Sequence, residues 1–349
     1  MPWAHLQTFT RPTLPPLTPM DKLKLLQLTF CLIAAISLFS ACDDDDKIPT
    51  PQPPDEPTDS RALIVTQSPS GDNSNTNKNT TGNDDLDSRI EVPHVIGGSN
   101  NYILVRTTSK YGVNYIIEWD NQKRSQRWTA YQMHNGNNGK YWSRDSWKKE
   151  TDNEWAILNL STYGYADPFQ PDPDLPLGIR TELNEYKNSG YSRGHICASA
   201  DRLNSKEANE QTFYLSNIMP QSSRLNEGTW EKMENQVRNW NNDKYRQTLY
   251  VVKGGTIDDL HTLGKTNSGL VVPQYFFMAI VSQLNGKYQG IAFIVEHNNP
   301  NKNGTKLQNY VFTIDQLEQL TGIDFFCNLP DETENDMENN VNYTFWGMN

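Results

Sequence analysis

The 349-residue chain is poor in cysteine and in positive charge. It has four cysteines, no Cys-x-x-Cys pair and no histidine-rich cluster, so a zinc hydrolase lacks a credible ligand set. Lysine and arginine total 31 against 42 aspartate and glutamate, a formal net charge of -11. This balance argues against a protein that coats DNA through a basic surface. It still permits an enzyme that contacts only a few phosphates.

Long apolar runs are also scarce, and the one clear case is residues 28–41. Two lysines precede this run, which is the layout of a secretion signal rather than of a transmembrane helix. Small residues lead from it into Cys42, an arrangement that resembles a bacterial lipobox whose cysteine is lipidated. We therefore interpret residues 1–42 as an upstream segment and lipoprotein signal peptide that truly starts at Met20. An uncleaved anchor helix is the alternative.

Residues 43–88 lack apolar periodicity and are rich in Pro, Asn, Ser and Asp. This composition predicts a disordered tether between lipid and domain. Its first residues, 43–46, are four aspartates, which resemble surface-export signals of Bacteroidetes lipoproteins; a solvated charge run is the alternative. We expect an exported protein that is anchored by lipid to the outer membrane, with the cell surface as one location.

The remaining residues, 89–349, are predicted to form one α+β domain. Alternating apolar residues indicate long-range strands rather than a series of βαβ units. The predicted strands are 102–106, 114–119, 128–133, 248–253, 275–281 and 290–296, and the predicted helices are 226–240 and 314–321. The region 135–176 reads as loops.

The stretch GYSRGHICASADR, residues 190–202, raises the question of what its histidine does. A lone histidine is more often a structural residue than a catalytic one. The segment that follows adds Asn217, Asn226 and Glu234. Asn226 opens a predicted helix, where asparagine is also a favoured N-cap. Glu234 lies eight residues further, about 80° around the same helix, so both side chains can lean to one side.

Together these motifs resemble the DNA/RNA non-specific endonuclease family, the ββα-metal nucleases. The matching segments are Arg-Gly-His at 193–195, Asn-Ile-Met-Pro-Gln at 217–221, Asn-Glu-Gly-Thr-Trp at 226–230, and Glu234. The resemblance covers about residues 89–349. It implies a central antiparallel sheet flanked by helices, with the catalytic histidine on a strand and a metal-ligand asparagine at a helix start.

The resemblance also implies a role for each matching residue. His195 would be the general base that activates water, and Asn226 the direct protein ligand of Mg²⁺, or of Mn²⁺ as the alternative ion. Glu234 would orient metal-bound water. Asn217 would hold the histidine or the phosphate region, and Arg193 would meet a phosphate oxygen. Oxygen ligands of this kind suit Mg²⁺, and a charge-assisted hydrogen bond suits the phosphate.

A further arginine is expected to stabilise the transition state. Arg144 is the best match to the family pattern, although a surface arginine is the alternative. Arg127 is a weaker candidate that we expect beside a core strand. Arg202 and Arg224 are candidate substrate contacts, with solvated arginines as their alternative.

Two positions depart from the family pattern. Ser192 stands where an acidic residue precedes Arg-Gly-His, which changes how Arg193 is held. Cys197 with Ala198 replaces the expected Ala-Pro. We interpret Cys197 as a structural thiol or as a partner of Cys327 in a disulfide, rather than as a nucleophile.

We predict an endonuclease that hydrolyses phosphodiester bonds of DNA and RNA and, by resemblance, leaves 5′-phosphates. The alternative is a catalytically weakened surface lipoprotein that binds nucleic acid without cutting it. DNA, RNA and the membrane are the expected partners. The sequence leaves open whether the protein forms a dimer. The acidic composition predicts poorly steered, salt-sensitive encounters with substrate.

Overall fold

The computed structural model describes residues 72–78 and 83–349. The predicted signal peptide, the lipidation site Cys42 and residues 43–71 of the predicted tether lie outside the described residues. Within them, none of the helices combines the length and the apolar composition that a membrane span requires.

A seven-stranded antiparallel sheet forms the centre of the domain. Its strand order is β1-β2-β3-β6-β9-β10-β11, and two short ribbons, β4-β5 and β7-β8, stand apart from it. The strands are β1 Asn101–Thr108, β2 Gly112–Asp120, β3 Ser125–His134, β4 Ser192–His195, β5 Ile218–Gln221, β6 Thr248–Gly255, β7 Thr262–Lys265, β8 Val271–Pro273, β9 Tyr275–Leu284, β10 Lys287–Glu296 and β11 Val311–Phe312.

Short helices surround the sheet. The α-helices are α1 Asp84–Asp87, α2 Glu154–Tyr163, α3 Lys206–Gln211, α4 Glu231–Trp240, α5 Ile314–Thr321, α6 Asp331–Glu338 and α7 Tyr343–Trp346. A π-helical segment, Leu225–Trp230, runs directly into α4. The 3₁₀ turns are Arg144–Lys149, Leu183–Tyr186, Ser199–Asp201, Leu215–Asn217 and Leu307–Tyr310.

The two faces of the sheet bury two separate apolar cores, because successive strand residues point to opposite sides. In β3, Tyr131 belongs to the core that contains Met233 and Trp240 of α4. Its neighbour Ala130 belongs to the opposite core, which contains Leu317 of α5. The sheet is thus covered by α4 on one face and by α5 on the other, which confirms the predicted α+β class.

The β4-β5 ribbon carries the Arg-Gly-His motif. In its register Ser192 pairs with Gln221 and His195 pairs with Ile218. A Cβ atom on Gly194 would lie 2.2 Å from the Gln221 side chain. Glycine is therefore needed in the motif so that the strand can lie against Gln221.

Two local predictions differ from the structure. The region 135–176 was expected to be loops, but α2 forms there, capped by Asn153 at its start and by left-handed Gly164 at its end. Both are ordinary helix-boundary signals. The predicted helix 226–240 is α-helical over residues 231–240, whereas residues 226–230 are π-helical with a kink at Gly228.

The predicted domain boundary at residue 89 lies too late, because part of the predicted tether packs on the domain. Asn77 is fully buried and its Nδ2 donates to the carbonyl of Pro93 (2.9 Å). Asn73 donates to the carbonyl of Leu329 (2.6 Å), and Asn75 donates to Asp324 (3.1 Å). Side-chain amides anchor this segment, so the absence of apolar periodicity gave no sign of it.

Candidate active site

His195 ends β4 in a mostly apolar niche. Its ring lies 4.9 Å from the ring of Phe213 and 5.4 Å from that of Phe169, measured between centroids. Among the described residues, the buried Nε2 atom has no hydrogen-bond partner. Burial, followed by the charges of Arg144 and Arg193, holds the pKa of His195 well below its usual value. The imidazole is therefore neutral at pH 7 and able to accept a proton.

Asn217 fixes the chain that follows the histidine. Its Oδ1 accepts from the Cys197 amide (2.8 Å), and its Nδ2 donates to the carbonyls of Cys197 (2.9 Å) and Thr212 (2.8 Å). Asn217 is fully buried. All of its polar atoms are thus committed to backbone groups, so it positions the histidine segment and has none left for a phosphate.

Asn226 lies in the π-helical segment rather than at an N-cap. Ser222 takes the capping role, since its Oγ accepts from the Leu225 amide (3.3 Å) and its carbonyl accepts from the Asn226 amide (2.9 Å). The half-buried Asn226 side chain has no hydrogen bond among the described residues and lines the cavity beside His195. π-Helical bulges often occur at functional sites. In this chain the bulge leaves an amide free to bind a ligand.

Glu234 lines the same cavity and belongs to a buried charge network. Lys253 Nζ lies 3.5 Å from Glu234 Oε1 and 3.4 Å from Asp201 Oδ2, and Arg238 donates to Asp201 (2.8 Å). Burial raises the pKa of Glu234 to about 7, although Lys253 opposes the shift. Asp201 also loses hydration, but the neighbouring cations outweigh this and lower its pKa to about 2.

Arg144 and Arg193 bring positive charge to the cavity. Arg144 donates two hydrogen bonds to Asp167, from Nε to Oδ1 at 2.9 Å and from Nη2 to Oδ2 at 2.5 Å. Its side chain is 51% exposed, so it keeps a solvent-facing edge. Asp167 thereby orients the arginine that was the best match to the family pattern.

Arg193 is held by aromatic rings instead of by a carboxylate. Its guanidinium carbon lies 4.3 Å from the Phe169 ring centre, 4.6 Å from Tyr165 and 5.6 Å from Tyr163, and Nη2 donates to the Tyr165 hydroxyl. No described carboxylate forms an ion pair with it, and burial lowers its pKa to about 10. Such contacts are cation–π interactions.

One cavity of about 380 Å³ brings the predicted residues together. Arg144, Arg193, His195, Asn226 and Glu234 all line it, although they come from four separate elements. It therefore combines a neutral base, two cations and two oxygen donors at one place.

Comparison with known proteins identifies the family. The sequence model described as "DNA/RNA non-specific endonuclease" matches residues 100–332, well over half of the chain. The chain belongs to the DNA/RNA non-specific endonuclease family. This confirms the predicted family and the prediction that the protein is an endonuclease.

Relatives of this endonuclease include a nuclease from Nostoc sp., 29% identical over 252 residues that cover 69% of the chain and 79% of the relative. The mitochondrial nuclease EXOG of Xenopus laevis is 32% identical over 194 residues, covering 50% of the chain and 54% of the relative. Human mitochondrial endonuclease G is 27% identical, covering 46% and 57%. The chain thus spans only about half the length of these two animal relatives.

A solved structure supports the fold of the endonuclease. The crystal structure of an EndoG/EndoGI complex aligns with a TM-score of 0.52 and 21% identity, covering 68% of this chain and 91% of that one. At this identity the likeness concerns the fold alone. It agrees with the predicted ββα-metal architecture.

Other predicted residues of the endonuclease lie outside the cavity. Arg202 is 1% exposed and donates to the carbonyls of Asn114 (3.0 Å) and Gln132 (3.1 Å), so the predicted substrate contact is wrong. Arg127 pairs with Glu118 (2.6 Å) beside the core strand, as expected. Arg224 is exposed and does not line the cavity.

The two described cysteines are free and buried, so of the two alternatives the structural thiol is the one that the structure shows and the disulfide is absent. Burial raises the pKa of Cys197 to about 12 and raises that of Cys327 as well. Cys197 packs in the core under the site, which agrees with a structural thiol rather than a nucleophile.

Several functional residues escaped the sequence reasoning. Asp167, Tyr163, Tyr165 and Phe169 come from the region expected to be loops, and Lys253 comes from a core strand. A lysine at a fully buried strand position is the signal that could have drawn attention to the charge network.

Three acidic residues lie close together outside the cavity, on α5 and α6. Asp315, Glu318 and Glu338 each place a carboxylate oxygen within 4.8 Å of the others. This group contains none of the predicted metal ligands. It belongs to a cluster in which burial raises the pKa of Glu318 to about 7, of Glu334 to about 8 and of Glu338 to about 10.

Proposed function

We propose that the protein hydrolyses phosphodiester bonds of DNA and RNA with a divalent cation, Mg²⁺ or alternatively Mn²⁺, and leaves 5′-phosphates. The observation that carries the proposal is the single cavity shared by His195, Arg144, Arg193, Asn226 and Glu234. A phosphodiester is an anion with a poor leaving group, so its hydrolysis needs a base, positive charge and an acid or cation at the departing oxygen.

His195 serves as the general base in this proposal. Its low pKa keeps the ring neutral, and the unpartnered Nε2 offers a lone pair or a proton site within the niche. The Trp230 indole donates to the His195 carbonyl (3.2 Å), and Asn217 binds the Cys197 amide, so both fix the backbone at and just after the histidine. The ring therefore meets a water molecule from a fixed position.

The two arginines bind the phosphate. Asp167 holds Arg144 by two hydrogen bonds, and the aromatic rings hold Arg193 with its charge uncompensated. Both guanidinium groups can donate to phosphate oxygens and stabilise the charge that develops there. An aromatic support takes the place of the acidic residue that Ser192 replaces, so the substitution leaves the phosphate-binding arginine in position.

Asn226 and Glu234 fit a divalent cation. The Asn226 amide is free of hydrogen bonds within the described chain, and the buried Glu234 Oε1 has no hydrogen bond there and lies 3.5 Å from Lys253 Nζ. Both offer oxygen, the donor that Mg²⁺ prefers, with Asn226 as the direct ligand and Glu234 acting through water. When bound, the ion would supply positive charge to the departing oxygen.

Low base selectivity follows from the same groups. Arginine, histidine and a metal site address phosphate, which is common to all sequences and to both sugars. This supports a sugar-non-specific nuclease. None of these residues is placed to read a base edge by itself.

Export as a lipoprotein is a separate proposal. It is supported by the signal-like segment before Cys42 and by the composition of residues 43–71. The test is membrane fractionation of cells that express the chain or its Cys42→Ala variant. Release of the variant to the soluble fraction is expected, and equal distribution of both proteins would refute lipid anchoring.

Cleavage assays separate the nuclease from a protein that only binds nucleic acid. Plasmid DNA and RNA are offered to the purified protein with Mg²⁺, with EDTA, and as His195→Ala. Cleavage is expected only for the unmodified protein with metal. Absence of cutting with Mg²⁺ and Mn²⁺ alike would refute the nuclease, and equal cutting by the variant would refute His195 as its general base.

A further inference from the structure

A second cavity adjoins the catalytic one and has a different chemistry. It has a volume of about 490 Å³, within the range of about 300–1,000 Å³ common for ligand pockets. It shares Arg144, Arg193 and Asn226 with the catalytic cavity, but His195 and Glu234 do not line it. Its other walls are largely aromatic: Tyr163, Tyr165, Phe169, Tyr186 and Tyr191.

Two tyrosines form a stacked pair on this wall. The rings of Tyr163 and Tyr165 lie 5.8 Å apart and are nearly parallel, at 15°. Both residues are half-buried, so part of each ring faces solvent. Gly164 between them has φ +81°, a left-handed conformation that ends α2 and turns the chain. This turn brings two successive aromatic residues of the sequence Tyr-Gly-Tyr side by side.

The aromatic pair touches the phosphate-binding arginine. The guanidinium of Arg193 lies over both tyrosine rings and donates a hydrogen bond to the Tyr165 hydroxyl. A phosphate held by Arg193 would therefore place its own nucleoside beside the tyrosines. Lys187, an exposed cation on the same cavity, lies where it can meet a neighbouring phosphate.

We propose that Tyr163 and Tyr165 form a stacking subsite for an unpaired nucleobase next to the phosphate that is cut. The inference rests on the proposed nuclease function and adds its substrate form. Stacking tolerates any sequence, because every base has a π face. A base inside a duplex has both faces covered by its neighbours, so the subsite favours single-stranded or opened nucleic acid over an intact duplex.

The test uses binding by the full chain carrying His195→Ala, so that cleavage does not interfere. The probe is a single strand with 2-aminopurine, a base whose fluorescence falls on stacking, or with an abasic site at the same position. In this background we compare Tyr163→Leu with Tyr102→Leu. Tyr102 is 39% exposed on β1 and lines neither cavity, which makes it a matched control.

The expected result is an affinity that is about 5- to 100-fold higher for the strand with the base than for the abasic strand. Tyr163→Leu should bring this ratio close to one and abolish the fluorescence loss, whereas Tyr102→Leu should keep both. A ratio that Tyr163→Leu leaves unchanged overturns the subsite. Failure of the unmodified protein to cut nucleic acid refutes the nuclease proposal instead, because binding is measured without catalysis.

Discussion

Asn217 and Asn226 lie nine positions apart, and the structure predicts opposite consequences for the same substitution. Asn217→Ala removes three hydrogen bonds to fully buried backbone groups. Each unpaired buried group costs about 1–3 kcal/mol, so the loss should be at least about 3 kcal/mol. Asn226→Ala removes a half-buried amide that has no hydrogen bond in the described chain, so stability should change by less than about 0.5 kcal/mol.

Thermal unfolding and metal titration together measure this contrast. In a domain of this size, about 3 kcal/mol lowers Tm by roughly 6–12 °C, which is the expected effect of Asn217→Ala. Below that temperature, cleavage by this variant should reach its maximum at the same Mg²⁺ concentration as the unmodified protein. Asn226→Ala should unfold normally but need far more Mg²⁺, or fail to cut. Equal destabilisation by both substitutions would refute the reasoning. A higher Mg²⁺ requirement of Asn217→Ala without a lower Tm would also refute the reasoning.

Three further predictions follow from buried titratable groups. Because the pKa of His195 is lowered, its base form persists below pH 6.5, so an acidic limb of kcat/KM near pH 7 should come from Glu234 and not from His195; a limb at 6.5 or above that persists in the residual activity of Glu234→Gln would contradict this. The pKa values of Glu334 and Glu338 are raised in the folded state, so the protonated carboxyl groups stabilise the fold. This stabilisation is complete below about pH 4.5 and is lost as pH rises through about 8 and about 10. Denaturant unfolding at pH 6 and pH 9 should therefore show lower stability at pH 9, and Glu338→Gln should reduce the difference; a pH-independent midpoint would count against it. Cys197 and Cys327 should both react as free thiols after denaturation without reductant, and finding only blocked thiols would show that they are paired.

The sequence motifs were sufficient for the family and for a set of residues that the fold brings to one cavity. His195, Asn226 and Glu234 could be recognised because their order and spacing recur as a set. Strand positions such as Ala130 and Tyr131 were predictable because successive side chains of a strand point to opposite faces of the sheet, which is a local pattern. The α5 helix matches its predicted bounds, since Thr313 caps it and Gly322 ends it.

Contacts between distant segments could not be predicted in this way. Asn217 was expected near the histidine or the phosphate, and only the fold shows that backbone groups take all its bonds. The boundary at residue 89 was wrong because Asn73 and Asn77 attach to residues about 250 positions away, through amides that leave no periodic signal.

Arg193, which follows Ser192 where the family has an acidic residue, shows most clearly what the sequence determines and what the fold determines. The amino-acid order alone establishes that Arg193 belongs to the motif and that the usual acidic neighbour is missing. How Arg193 is held depends on the fold, since α2 and the turn after it carry Tyr163, Tyr165 and Phe169 to its guanidinium. The physical reason is that cation–π and stacking contacts depend on ring positions in space, which spacing along the chain does not encode.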